Sequence, residues 1–572
     1  MNLRWWDEAH ESLGRIHGDA ELLAVRDKAR QTARDQIAPL VNGAHPAHGW
    51  TEDKASVLHI LDNAGLTGLA AQCLTMPLAL TVWELATIDA GVATLSLSGS
   101  LAQMPIRDFG TTEQKARYLE QTNFRHGALC LTEPLPGAGA EAVSLSGRMF
   151  QAGDAASGQP LLKIEKRGRF TSHMDFADFV VAAVEGDGGG VLGSGLVILE
   201  PEDTGQFERG TPARKLGHHF ASTTNPIFDL TIPASRLVGG YTVEQGIIVP
   251  RFSHRAVLEP ALRRMRTLLA LMTAAKALAT VQRQISSASP QKGARFRLAL
   301  ADLWATGEAA ASLGFAAVRL SDDLKRAENA SLAALLSSAA KLYSSSRIAE
   351  TLIEVSAHTD AASQASQELQ ARLIDAQIEE MYMGPSALQR RLVSAAMTGA
   401  RFLAGFEPWT QSIERAAERL PQAGLPALAE GMRLWHWTLQ RLRERVDGRG
   451  AKLYCDARQG VSFAMADALC ELLAARSMAL DLLQAERNFA GRDQQIVSVF
   501  SDLLAVAAGR AASRCAQICT DLLFGYAERF PVSSVEQKIF NAQRARLFFT
   551  LRGTLNARQR VADFLRAPAS RF

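Results

Sequence analysis

The glycine-rich run Gly186-Asp187-Gly188-Gly189-Gly190 has a composition that could hold a phosphate group. Glycine turns expose backbone amides, and a helix that follows such a turn adds the positive end of its dipole. No helical pattern follows this run, and short apolar segments lie on both sides of it. The sequence therefore favours a hairpin turn between two strands over a phosphate cradle.

A second glycine motif, Gly137-Ala138-Gly139, resembles the start of a dinucleotide-binding fingerprint. That fingerprint works only where the last glycines open a helix whose N-terminus faces the pyrophosphate. The residues after Gly139 do not have a helical pattern. A Rossmann-type site is therefore disfavoured.

Two adjacent histidines, His218 and His219, could ligate a metal or transfer protons. A metal site needs further ligands at suitable spacing, and no third ligand is found near this pair. We therefore expect surface or interface histidines.

Length, charge and cysteine usage limit the function classes. The 572 residues predict two to four domains, and 62 Lys+Arg against 59 Asp+Glu give a net charge of +3, which offers no general electrostatic attraction to nucleic acid or membranes. The six cysteines form no CxxC pairs, so neither a metal site nor a disulfide framework is expected. The N-terminus has no apolar core of signal-peptide length, and no uninterrupted apolar run of about 20 residues occurs. We expect a cytoplasmic protein without a transmembrane segment.

The hydrophobic pattern changes twice along the chain. Apolar residues recur at three- and four-residue spacing up to about Thr122, as in Thr81–Ile88, and again beyond Val249 to the end. Between Ala128 and Gly240, short apolar runs are separated by Gly, Pro, Asp and Ser, which predicts an antiparallel sheet or barrel. The order of helices, strands and helices predicts several packed units.

Three stretches, in a fixed order, resemble the acyl-CoA dehydrogenase superfamily. They are Phe109-Gly110-Thr111-Thr112-Glu113-Gln114-Lys115 with Tyr118-Leu119; Leu131-Thr132-Glu133-Pro134 with Gly137-Ala138-Gly139; and Lys215-Leu216-Gly217 with Pro226-Ile227-Phe228-Asp229, Ile232-Pro233 and Leu237-Val238-Gly239. Their order and spacing make the resemblance specific, and it covers roughly 400 residues of the chain. The tail is similar in composition to the additional helical domain of the very-long-chain type.

The resemblance implies an α+β, mostly α fold with four domains. They are an N-terminal helical domain at 1–125, a β-barrel at 126–242, a four-helix bundle at 243–402 and an additional helical domain at 403–572. In the family, FAD lies between barrel and bundle, and helices of a partner subunit complete its site. The resemblance thus implies FAD, an acyl-CoA thioester substrate, a homodimer and an electron-transfer partner protein.

The family reaction removes two hydrogens from the α and β carbons of the thioester. A carboxylate takes the α proton while the flavin accepts a hydride from the β carbon.

Seven residues match cofactor-contacting positions of the family: Leu131, Thr132, Gly139, Ala140, Thr171, Ser172 and Arg283. Two of the flavin-contacting segments depart from the family. Arg169 replaces the usual tryptophan, and the loop ends in Gly139-Ala140-Glu141 instead of Gly-Ser-Asp.

The catalytic carboxylate is absent from its usual place. Met383 occupies that position, and a thioether has no useful basicity. Glu379 and Glu380 precede it on a helix, where we expect them to lie on a solvated face. Glu259 lies near the position at which some family members carry the base, and we consider it either the catalytic base or a helix-start acid beside Pro260.

The partner-subunit contribution to FAD also differs from the family. No glycine occurs between Gly314 and Gly384, where the family has a glycine-rich turn that approaches the cofactor. Arg283 lacks the Phe-Gly that follows it in the family, so it either contacts a phosphate or faces solvent. Two functions stay open: an FAD-dependent oxidoreductase acting on an acyl-CoA thioester, and a non-catalytic paralogue that binds or assembles with another subunit.

Overall fold

A computed structural model describes the chain at residues 15, 19–41, 48–72, 75–120, 125–133, 145–153, 158–286, 293–322, 327–359, 364–488 and 494–565. Its residues form two compact units. One unit comprises Ala24–Leu268 and contains every strand among the described residues, and we call it the mixed unit. The other comprises Met1–Leu23 and Leu269–Phe572, its described elements are helices, and we call it the helical unit.

Eight α-helices precede the strands in the described part of the chain. They are α1 (Ala20–Gln31), α2 (Ala38–Val41), α3 (Glu52–Asn63), α4 (Leu69–Gln72), α5 (Thr75–Ile88), α6 (Ala90–Ser96), α7 (Ser100–Phe109) and α8 (Thr112–Tyr118), with a π-helical stretch, Thr32–Ile37, between α1 and α2. Side-chain caps define several starts: Asp89 accepts from the Val92 amide at 2.9 Å, and Thr111 forms a capping box with Gln114. Such caps satisfy amides that have no partner within the helix.

The strands form a curled seven-stranded sheet and two small ladders. The strands are β1 (Gly127–Cys130), β2 (Arg148–Gln151), β3 (Leu161–Arg167), β4 (Thr171–Ser172), β5 (Phe179–Gly186), β6 (Ser194–Leu199), β7 (Thr204–Glu208), β8 (Thr223–Thr224), β9 (Ile227–Pro233), β10 (Tyr241–Glu244) and β11 (Ile247–Pro250). The main order is β1-β5-β2-β3-β9-β7, with β6 on β5; β4 pairs with β8, and β10 with β11. The short apolar runs in the sequence predicted β1, β5, β6 and β9, and these strands are confirmed.

Both faces of β5 are buried, which explains its nearly continuous apolar sequence. Val180, Ala182 and Val184 pack into a cluster with the other strands. Phe179 and Val181 point to the opposite face and pack against residues of α7 and α8. The hairpin after β5 is also confirmed: β6 pairs antiparallel with β5, and the Asp187 carboxylate accepts from the amides of Gly189, Gly190 and Val191 at 3.1–3.2 Å.

The later helices are long. They are α9 (His254–Ser286), α10 (Ala294–Asp322), α11 (Ala327–Ser356), α12 (Gln364–Glu379), α13 (Ser386–Ala396), α14 (Ala400–Arg419), α15 (Leu425–Glu444), α16 (Gln459–Asn488), α17 (Gln494–Phe524), α18 (Ser534–Thr550) and α19 (Thr554–Phe564). The chain passes from the mixed to the helical unit within α9. Among the described residues, Ile496–Phe524 is long and apolar enough to cross a membrane, but 72% of that window is buried, as in a core helix.

The predicted fold class, helices around a curled sheet with extra C-terminal helices, is confirmed. The division into four domains stays a prediction, and the two compact units have their own boundaries. Near residue 403, where the additional helical domain is predicted to start, the structure has the first residues of α14.

Candidate functional site

The two segments predicted to contact flavin are adjacent in the mixed unit. The Arg169 amide donates to the Thr132 carbonyl at 2.8 Å, just after β1 and just before β4. β4 forms a two-residue antiparallel ladder with β8, in which Thr171 pairs with Thr224 and Ser172 with Thr223. The structure thus brings Leu131 and Thr132 together with Thr171 and Ser172.

The hydroxyls at this junction differ in exposure. Thr132 is exposed and Ser172 is half-buried, so both can meet a ligand. Thr171 is only 2% exposed, and its hydroxyl lies beside the Cys130 thiol. A Cβ built on Gly168 would come within 2.5 Å of Cys130 Sγ and 3.0 Å of Thr171 Oγ1, so the segments pack too closely for any larger residue. The predicted contact of Thr171 with flavin stays a prediction, but its hydroxyl points into the protein.

Glu133 anchors this junction to the neighbouring strands. Its carboxylate accepts from the Ser146 amide at 2.5 Å, the Gly147 amide at 2.8 Å and the buried ammonium group of Lys166. Burial acts to raise the pKa of Glu133, but these donors outweigh it and hold the pKa below its usual value. The role of Glu133 is therefore structural: it fixes the end of the strand on which Thr132 lies.

Two residues beside β4 adopt the left-handed backbone region. Phe170 has φ +51° and His173 has φ +64°, values that are uncommon for residues with a Cβ. His173 is 6% exposed, and burial, with the charges of His126 and Lys215, lowers its pKa to about 3. Strained backbone of this kind persists where the surroundings enforce it, and it often marks functional segments.

Two further predicted cofactor contacts, Gly139 and Ala140, lie outside the described residues.

Glu259 lies on an exposed face of α9. Its side chain is 47% exposed, and it pairs with the buried Arg266 at 2.9 and 3.4 Å. The apolar surroundings that would favour a neutral carboxylic acid are therefore absent at this position. The catalytic role of Glu259 stays a prediction.

Met383 lies in a loop between α12 and α13 of the helical unit. Its φ is +56°, and the following Gly384 has φ +87°. The Gln389 side-chain amide donates to the Met383 carbonyl at 3.2 Å and to the Gly384 carbonyl at 3.1 Å. The Glu380 carbonyl accepts from Lys341 Nζ at 3.0 Å. The backbone of this loop is therefore held by several hydrogen bonds, but the Met383 side chain cannot act as a base.

The expectation that Glu379 lies on a solvated face is wrong. Glu379 is fully buried and pairs with Lys276 Nζ of α9 at 2.6 Å. A signal in the sequence could have revealed this contact. Lys276 is a single charged residue within the apolar run Ala274–Leu278, and a buried lysine requires a buried partner.

Arg283 is partly exposed, and its guanidinium lies 3.8 Å from the Glu368 carboxylate, so the structure records a loose ion pair at this position.

The expectation of surface histidines is wrong for His218. This residue is 3% exposed and lies in a turn with φ +47°. Its Nδ1 atom is 3.1 Å from the Thr94 hydroxyl on α6. Among the described residues no cluster of His, Cys, Asp and Glu could hold a metal ion.

Comparisons with known proteins agree with this architecture. Residues 19–123 match the family model of the acyl-CoA dehydrogenase N-terminal domain. A solved structure of an acyl-CoA dehydrogenase from Bacillus anthracis, complexed with FAD, superposes with a TM-score of 0.76 at 18% identity and covers 96% of this chain and 95% of that one. Residues 19–123 thus match an acyl-CoA dehydrogenase N-terminal domain, and the chain as a whole has the acyl-CoA dehydrogenase fold.

The curated relatives of the superfamily match only part of the chain. The short-chain specific acyl-CoA dehydrogenase of Megasphaera elsdenii is 36% identical over 167 residues, which is 28% of this chain and 41% of the relative. An acyl-CoA dehydrogenase of Bacillus subtilis (strain 168) is 28% identical over 236 residues, which is 39% of this chain and 59% of the relative. The chain thus spans about half the length of the curated relatives it matches.

FAD, the cofactor expected from the sequence, is confirmed for the family. The mixed unit fits such a group at Thr132 and Ser172, whose hydroxyls are accessible on two hydrogen-bonded segments. Thr171 does not present its hydroxyl at the surface. Of the predicted flavin contacts in the mixed unit, Thr132 and Ser172 are therefore the ones with accessible hydroxyls, and their role stays a prediction.

Proposed function

We propose that the protein is an FAD-dependent oxidoreductase that acts on an acyl-CoA thioester. The junction between Thr132 and Arg169 carries this proposal, because it holds two accessible hydroxyls where the superfamily contacts its flavin. Thr132 and Ser172 would hold the cofactor through hydroxyl and backbone groups. The cofactor supplies the acceptor for a hydride from the substrate.

The proton step is the difficult part for this chain. Removal of a proton α to a thioester needs a positioned base, and the Met383 thioether cannot supply one. Glu259 is our candidate. To accept a proton, its carboxylate must release the Arg266 guanidinium, which now occupies both of its oxygens at 2.9 and 3.4 Å. We therefore expect slow turnover compared with an enzyme that carries a carboxylate at 383.

A second function is favoured by two observations at the base positions. Met383 lacks a titratable group, and Glu259 is exposed and ion-paired. Both fit a paralogue that keeps the fold and serves as a binding or assembly subunit. In either case we propose a homodimer in the cytoplasm. For the enzyme we also propose an electron-transfer partner protein.

The visible spectrum of the purified protein, followed by anaerobic mixing with a panel of acyl-CoA thioesters, separates the two functions. The oxidoreductase predicts a flavin spectrum that at least one thioester bleaches, and Glu259→Gln abolishes the bleaching while Glu259→Asp retains part of it. The assembly subunit predicts no bleaching by any thioester. A colourless protein that added FAD cannot reconstitute excludes the oxidoreductase.

A further inference from the structure

Two buried arginines lie one helical turn apart on α9 in the mixed unit. Arg263 is 8% exposed and Arg266 is 3% exposed. The Nε atom of each is buried without a hydrogen-bond acceptor among the described residues. Residues spaced by three positions are neighbours on a helix surface, so the two guanidinium groups share one face.

The carboxylates around this pair are already engaged. Glu259 forms its ion pair with Arg266, and Asp108 forms one with Arg264 at 2.9 Å. No described residue makes a hydrogen bond or ion pair with the Arg263 guanidinium, and Glu259 acts on it only as a nearby charge. Arg263 is thus a buried cation with no direct counterion in the described part of the chain.

Physical chemistry requires compensation for such a group. A guanidinium stays charged under all ordinary conditions, and burial of a charge without a partner is strongly unfavourable. Burial lowers the pKa of Arg263, and the charges of Arg264 and Arg266 act in the same direction, while Glu259 and Asp108 oppose them. An anion that enters this face would gain the planar guanidinium of Arg263, which suits bidentate contact with an oxyanion, and the positive charge of Arg266 beside it.

The arginine pair lies near the predicted flavin strand. The residue next to Arg263, Leu262, packs in the same apolar cluster as Leu129 and Leu131 at the end of β1. We propose that Arg263, together with Arg266, forms a subsite that binds a carboxylate or phosphate oxyanion of a ligand. The subsite goes beyond the proposed function, because it depends neither on bound flavin nor on a base.

Thermal unfolding of the full chain in the presence of three probes tests the proposal. The probes are inorganic phosphate, glutarate and coenzyme A, each compared with sodium chloride at equal ionic strength so that general screening cancels. We expect at least one of them to raise the melting temperature in a saturable way, because binding to the folded state alone stabilises it. The probe that raises the melting temperature shows whether the bound oxyanion is a free phosphate, a carboxylate or a phosphate of coenzyme A.

The variant Arg263→Met distinguishes an arginine that binds an anion from an arginine that only stabilises the fold. Without ligand it should melt at the same or a higher temperature than the wild type, since an uncompensated buried charge is replaced by an apolar side chain. Its dissociation constant for the active probe should rise roughly 10- to 100-fold, as expected when charge-assisted hydrogen bonds are lost. Arg264→Met is the matched control, because it removes a neighbouring guanidinium that already has Asp108 as its partner. This control should keep the full response to the probe.

Two results overturn the proposal. One is the absence of any probe-specific stabilisation of the wild type. The other is a probe response that Arg263→Met leaves unchanged. The flavin spectrum of each variant is recorded in parallel, so failure of the oxyanion subsite and failure of the proposed function are seen separately.

Discussion

The strand junction around Thr132 and the loop around Met383 are the two regions where we predict functional groups, and they differ in the side chains that they present. At the junction, the backbone bond from Arg169 to Thr132 and the accessible hydroxyls are in place. In the loop, Gln389 holds the carbonyls of Met383 and Gly384, yet the side chain at 383 is a thioether. The comparison teaches that a well-fixed backbone is common to both regions, whereas accessible hydroxyl groups are present only at the junction and the side chain at 383 has no basic group.

The largest expected effect comes from restoring a carboxylate in the loop. Because the backbone around position 383 is fixed, Met383→Glu should place a base there, and flavin reduction by an acyl-CoA should accelerate by about 10²–10⁴-fold, the usual contribution of general base catalysis. Stopped-flow absorbance under anaerobic conditions measures this rate. The isosteric control Met383→Gln should give no gain. Equal rates for the Glu and Gln variants would show that the loop no longer supports catalysis.

The buried ion pair behind the loop should have the next largest effect. Lys276→Met leaves the buried Glu379 carboxylate without its 2.6 Å partner and should cost about 3–5 kcal/mol of unfolding free energy. The double variant Lys276→Met with Glu379→Met should recover most of that loss, because no unpaired charge remains. Denaturant unfolding of the three proteins gives the comparison. A single variant as stable as the wild type would mean that the pair contributes little.

On the strand side, His173 should make stability depend on pH. Its pKa is lowered to about 3 in the folded protein, against 6.5 as the ordinary value, so the unfolded chain binds more protons between these two limits. Stability should therefore be unaffected above pH 6.5 and fall as the pH drops, by roughly 2 kcal/mol at pH 5. His173→Asn should make the melting temperature depend less on pH between 5 and 7, because this range lies near the ordinary histidine pKa of 6.5 and above the folded pKa of about 3. An unchanged slope in this variant would exclude His173 as the cause.

The smallest effect concerns the left-handed backbone at Met383. Glycine tolerates φ +56° and alanine does not, so Met383→Gly should be more stable than Met383→Ala by about 0.5–1 kcal/mol after the greater chain entropy of glycine is counted. Both variants delete the same side chain, which makes the difference a measure of backbone strain. If alanine proves the more stable, the loop relaxes to another conformation.

The sequence predicted the elements better than the contacts between them. The apolar run of β5 and the glycine hairpin after it carry local signals, so strand and turn follow from residues 179–190 alone. The burial of Glu379 could not be deduced from its own helix, because its partner, Lys276, lies 103 residues away in the chain. The expectation for His218 was wrong for the same reason, since Thr94 of α6 lies 124 positions away.

The pairing of Glu259 shows how one contact alters a functional hypothesis. Its position near the start of α9 suggested a catalytic base, but only the structure shows that its carboxylate forms an ion pair with Arg266. The strand that precedes Thr132 was predicted correctly, because a strand is defined by backbone hydrogen bonds that tolerate many side-chain changes.

The affinity of the protein for FAD, measured by calorimetric titration of the flavin-free full chain, tests the central claim most directly. We expect saturable binding with one FAD per chain, weakened about 5- to 10-fold in Thr132→Val and nearly unchanged in Thr132→Ser, because the hydroxyl contributes about one hydrogen bond. A wild-type chain that binds no FAD, or a valine variant that binds it as tightly as the wild type, would contradict a flavin site at the strand junction.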